Sequence, residues 1–221
     1  MNMKMNMFFL TGWKIFGSIC VMGLLLVAFT RVFARPSTAE LQGQPLNLEV
    51  ATLKQSRSTS CGEAVIAMTY NFADPNHPIT EAEVIQYATI NKYYIANRSP
   101  YTSPANMVKI AKYFTKNIST GRAFSSGQGL ALLIQELRSG EPVIIDVLSN
   151  FHDPESEAHF IVITGISLDS NRENAIVIHY NDPLTSTKEA SDWAGSEGLW
   201  NAWQTNNDPG GSGWWLVISR P

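Results

Sequence analysis

The strongest constraint on the fold is a change of period. Residues 60–140 are patterned for helices and residues 142–219 for strands. In the first stretch apolar side chains recur at three- and four-residue intervals: Val65, Met68 and Phe72, then Val84, Tyr87 and Ala88, then Leu130, Leu133, Ile134 and Leu137. That spacing lines one face of an α-helix. Start and stop signals accompany it. Ser60 with Glu63, and Thr80 with Glu83, have the spacing of a capping box. Ser103 and Pro104 combine an N-cap with a first-turn proline, and the fourth segment ends at Gly140 before Pro142. The second stretch contains "PVIIDVL", "HFIVITGIS", "NAIVIHYNDP" and "GWWLVIS", short β-branched and aromatic runs bounded by turn residues. Helices first and strands later, without alternation, predict an α+β fold with an antiparallel sheet rather than a doubly wound parallel one.

The chain has 221 residues and a formal net charge of −3. One domain of about 170–190 residues plus an N-terminal segment suits that length. The near balance of charge, with no long basic run, leaves no electrostatic footprint for nucleic acid. Lys4 and Lys14 precede an apolar run over residues 15–29. That run matches the core of a signal peptide better than a full membrane span, which needs about 20 residues. Val32 with Ala34, and Ser37 with Ala39, have the small-residue spacing of a cleavage site. The expected organisation is a signal peptide or membrane anchor over residues 1–36, a linker over 37–47, and a domain over 48–221 exported to the periplasmic or extracellular side. The membrane becomes a partner if the segment is retained.

An exported chain ordinarily pairs its cysteines, yet this one has only Cys20, inside the apolar run, and Cys61, in "KQSRSTSCGEAVIAMTY". Cys61 falls in the first turn of the first expected helix, where unpaired N–H groups and the positive dipole end favour a thiolate. Gly62 beside it is expected to leave room for a substrate. The segment "LDSNREN" is short enough to join two strands as a hairpin. With the turn centred near Asn171, His159 at the start of one strand and Asp182 at the end of the next lie at the same end of antiparallel neighbours. An imidazole there, oriented by a carboxylate, is the base that activates a thiol nucleophile. Gln55, six residues before Cys61, can offer its amide to an oxyanion together with the Cys61 backbone N–H.

Glutamine, then cysteine at a helix start, histidine at a strand start and aspartate ending the next strand resemble the papain-like cysteine peptidases. The wording "QSRSTSCGEA", "AHFIVITG", "YNDP" and "WWLVI" is similar to family 39 of those peptidases, the bacteriocin leader-processing type, and its stand-alone C39-like relatives. The resemblance covers residues 48–221. It implies a papain-like fold with a helical lobe packed on an antiparallel sheet. It also implies a thiol hydrolase that cleaves a peptide or amide bond through an acyl-enzyme. By the same resemblance Cys61 is the nucleophile, His159 the base, Asp182 the orienting carboxylate and Gln55 the oxyanion donor. The partner is a peptide or protein substrate, and no cofactor is required. Leader-processing members are fused to an ATPase, whereas "GxxxxGK[ST]" does not occur here. Acyl transfer, as in phytochelatin synthases, uses the same triad, and a non-catalytic peptide-binding module can keep the same fold.

Taken singly, these residues also have structural readings: a core cysteine, a strand-start histidine, an Asx turn at "NDP", a surface glutamine. "FHDPESEAH" gathers His152, Asp153, Glu155, Glu157 and His159, but matches no helical metal-ligand spacing and reads as an acidic loop that borders the cleft.

Overall fold

The structure, a computed structural model, describes residues 46–172 and 175–221. The expected signal or anchor segment and nearly all of the expected linker lie outside these residues. Among them no helix is long and apolar enough to cross a membrane.

The elements run β1 (Leu46–Asn47), α1 (Cys61–Ala73), α2 (Glu81–Ile90), α3 (Pro104–Phe114), β2 (Ile118–Arg122), α4 (Ser126–Arg138), β3 (Val143–Leu148), β4 (Ala158–Leu168), β5 (Ile176–Asp182), β6 (Thr187–Asp192), α5 (Leu199–Thr205) and β7 (Trp214–Ile218). All strand pairs are antiparallel, in the order β2-β7-β3-β4-β5-β6, with β1 pairing β4 beyond the end of β3. This is the α+β architecture that the change of period predicts, and it is consistent with a papain-like fold.

Alternation along the central strands divides the interior into two layers. Ile144, Phe160, Val162, Leu216 and Ile218 pack with α1, α2 and α3 on one face of the sheet. Val143, Ile145, Val147, Ile161, Ile163 and Val217 pack with α4 and α5 on the other. With both faces covered, β3 and β4 need apolar residues at odd and even positions alike, and their sequences are accordingly near-continuous apolar runs. The sheet is therefore covered by helices on both faces, where the sequence indicated a helical lobe on one.

Two strands and one helix were not expected from the sequence: β2 ("ISTGR"), β6 ("TKEASD") and α5. β2 and β6 form the two edges of the sheet, each with a single neighbour. An edge strand is held by backbone pairing and faces solvent, so it has no need of the apolar alternation that identifies a strand in sequence.

Candidate active site

α1 begins at Cys61, as its sequence predicts, but it starts by a different device. Ser60 makes no side-chain cap; its backbone is at φ −102° and ψ 27° rather than extended, and its hydroxyl donates to Glu81 Oε1 at 2.6 Å. Glu63, the other half of the expected box, is fully buried and accepts from Thr102 Oγ1 at 2.6 Å. The Thr80–Glu83 box does form. Glu81 is thus the anchor for the segment that leads to the cysteine: both its oxygens also lie 3.0 Å from the Ser56 N–H. Sequence reasoning passed over Glu81, because an acid in a helix's first turn ordinarily serves only the dipole. Gln55 is fixed at the other end of this segment, its N–H donating to the Pro183 carbonyl at 2.8 Å.

Gly62 has a packing role as well as a place on the cleft. A Cβ there would lie 2.7 Å from Met107 Sδ and 3.4 Å from Phe160 Cδ2, so the glycine lets the start of α1 seat directly on α3 and β4.

His159 and Asp182 meet because of an irregularity in β4. The β4–β5 register runs Leu168↔Ile176 to Gly165↔His179, then shifts by one residue to Ile163↔Tyr180 and Val162↔Asn181. Continued one step, this register sets Asp182 opposite Ile161, whose side chain shares a face with His159. Without the bulged Thr164, Asp182 would lie opposite Val162 and point to the other face. Gly165 accommodates the distortion: a Cβ there would lie 2.6 Å from the Leu46 carbonyl of β1.

The result is a closed polar chain. His159 Nε2 is 2.7 Å from Asp182 Oδ1, and the imidazole shares its cleft with the Cys61 side chain. Burial opposes a charge on His159, but the hydrogen bonds and negative charge of Asp182 and Cys61 outweigh it and raise the imidazole to about 10. Burial likewise raises Asp182, and is outweighed by His159 and by backbone N–H donors at Leu184 and Thr185, which hold the carboxyl below its usual range. Asp182 also accepts from Leu184 N–H at 2.7 Å, so the Asx turn and the histidine contact coexist. Asn181 turns the other way and donates to the Val50 carbonyl at 3.0 Å.

A cleft of about 320 Å³ opens beside this chain, bordered by Gln55, Cys61, His159, Tyr101, Glu157 and Asp208 among others. The structure therefore brings all four sequence-selected residues to one site. Gln55 Nε2 spends one N–H on the Arg57 carbonyl at 2.7 Å and retains a second. An imidazole held by a carboxylate, on a cleft that a cysteine also borders, suits attack of a thiol on a carbonyl.

Residues 47–208 match the family model described as "Peptidase C39 like family". The chain belongs to this C39-like family of papain-like cysteine peptidases. No curated protein matches it.

Two further features of the C39-like site were not legible in the sequence. Asp146, in the apolar run of β3, is fully buried, and neither of its oxygens receives a donor from the described residues. Burial first, then the charge of Asp208 and the nearby Cys61, push Asp146 well above the usual range. Burial also raises Asp208, which borders the cleft, and its interaction with Asp146 counters part of that rise. The only sequence signal was an acid inside a buried strand.

The second feature is Glu63, which burial raises to about 7, against an ordinary 4.5. The unfolded chain loses this proton near 4.5 and the folded chain only near 7. Stability attributable to Glu63 is therefore full below pH 4.5, falls as pH rises between these values, and is flat above 7. Glu63→Gln is expected to remove this slope, on the order of 3 kcal/mol across the window. Thermal melts of variant and wild type from pH 4.5 to 7.5 check it; parallel curves would contradict it.

Proposed function

We propose that this C39-like protein is a thiol hydrolase that cleaves a peptide bond through an acyl-enzyme. The observation that carries the proposal is the His159–Asp182 hydrogen bond at 2.7 Å on a cleft that Cys61, the first residue of α1, also borders. The Cys61 sulfur attacks the scissile carbonyl carbon, and a C–S bond forms as the C=O π electrons move to oxygen. The His159 imidazolium gives its proton to the leaving amine as the C–N bond breaks. Neutral His159 then takes a proton from water, whose oxygen attacks the thioester; the C–S bond breaks and the acid product leaves. Asp182 keeps the ring in position and stabilises the imidazolium throughout. The free N–H of Gln55 and the Cys61 backbone N–H, at the start of α1, supply donors for the oxyanion.

The test is cleavage of a peptide library by the full chain, with the acyl-enzyme trapped at low pH and read by intact mass. Cleavage products together with a thioester on Cys61 are expected. Cleavage without an adduct in any phase, and unaffected by Cys61→Ala, would reject the reading. Gln55→Ala is expected to lower kcat/KM by about a hundredfold, the typical effect of losing one oxyanion donor, while alkylation of Cys61 by iodoacetamide stays within about twofold because no oxyanion develops there. Loss of alkylation to the same extent would show that Gln55 holds the loop rather than the transition state.

A further inference from the structure

Apart from His159, the charged side chains that border the cleft beside Cys61 are all acids. Glu155, Glu157 and Asp208 border it, and no lysine or arginine does, although the whole chain carries a formal net charge of only −3. Glu155 and Glu157 are exposed on the loop that leads to His159. Asp208 is built differently: it is 8% exposed and backed by Asp146, and its Oδ1 has no hydrogen-bond partner. A second acceptor in the same cleft is also unmatched. Gln55 is 8% exposed, its Nε2 gives one of two N–H groups to the Arg57 carbonyl, and its Oε1 has no partner. Buried acceptors left without donors are costly, and the cleft therefore favours a ligand group rich in donors and positive in charge.

We propose that this cleft selects a peptide carrying a protonated amine or guanidinium close to the scissile bond, and that Asp208 is the residue that receives it. The inference rests on the peptidase reading for the identity of the bond but concerns recognition alone. Asp146 acts at one remove: it is a second buried acid behind Asp208, and a cation at Asp208 offsets the unfavourable burial of both. Glu155 and Glu157 form the outer, solvated part of the same field and steer the cation inward. The cation comes either from a lysine or arginine side chain or from a free α-amine.

The experiment is a titration of the full-length Cys61→Ala protein, which binds without turnover, at pH 7.5. The probes are N-acetylated, C-amidated peptides of glycine, alanine and serine with one lysine moved through successive positions. Each has a twin bearing Nε-acetyl-lysine, which keeps the length and removes the charge. A further pair differs only in a free or acetylated N-terminus. Lysine at one position, or the free amine, is expected to bind at least about tenfold more tightly than its twin, as a charge-assisted contact to a buried carboxylate should. The advantage should shrink on raising salt to 0.5 M and vanish in Asp208→Asn. Glu155→Gln with Glu157→Gln, both on the exposed loop, should cost about two- to threefold. This double variant also provides a readout if Asp208→Asn does not fold. Equal affinity of every pair, no binding by any peptide up to about 1 mM, or a lysine preference unchanged by Asp208→Asn would overturn the proposal. Covalent labelling of Cys61 in the wild type reads the peptidase assignment separately, so either conclusion can fail without the other.

Discussion

Cys61→Ala is expected to lower peptide turnover by about 10⁴-fold or more, with no acyl-enzyme at any time. The size of the effect follows from the arrangement around the sulfur. His159 borders the same cleft, and without the sulfur neither imidazole nor carboxylate has a nucleophile to serve. The fold should be retained. Cys61 is the first residue of α1 and only half-buried, and its removal takes one sulfur from the rim of a cleft rather than from the packed interior. Far-UV circular dichroism and a thermal melt accompany the assay. A folded Cys61→Ala protein with wild-type turnover would transfer the nucleophile elsewhere and remove the basis of the mechanism.

His159→Gln is expected to cost about 10³- to 10⁴-fold in kcat/KM, and to differ from the cysteine variant in kind. The thiol remains, but it loses both the cation beside it and the proton donor for the leaving amine. Alkylation of Cys61 should slow together with turnover. Glutamine is chosen because it can still donate to Asp182, which is mostly buried and would otherwise be left without its partner at 2.7 Å. Asp182→Ala should leave measurable activity, since that carboxylate orients the ring without meeting the substrate. The kinetic assay and iodoacetamide rates, measured on the same preparations, check the ordering. Turnover lost with alkylation unchanged would show that His159 acts only on the leaving group.

The four candidate site residues were legible because the roles proposed for them require particular residue types at particular ends of elements. A first-turn cysteine, a strand-start histidine and a strand-end aspartate are visible once helices and strands are distinguished by period, and that distinction was strong from Val65 to Ile218. The reading was less complete where the contact is tertiary. Ser60 and Glu63 have the spacing of a capping box, yet each finds a partner outside the helix, in Glu81 and Thr102, and those contacts replace the box. The bulge at Thr164 decides which face Asp182 takes, and a threonine before a glycine in a β-branched run gives no sign of it. The Asp146–Asp208 pair joins β3 to a loop 62 positions later in the chain, and only the folded sheet brings them together. Edge strands β2 and β6 escaped for the opposite reason: their backbone pairing leaves the side chains free to be polar.

The most direct test of Cys61 as a thiol activated by His159 is labelling with an epoxysuccinyl reagent, mapped by peptide mass spectrometry on the full chain. Opening the epoxide requires a thiolate to attack carbon and an acid to protonate the departing oxygen, the two functions assigned to Cys61 and His159. The chain has two cysteines, so Cys20 serves as an internal control. The account predicts rapid modification of Cys61 alone, slowed by at least about tenfold in His159→Gln. Modification of Cys20 and Cys61 at similar rates, or a Cys61 rate indifferent to His159→Gln, would contradict it.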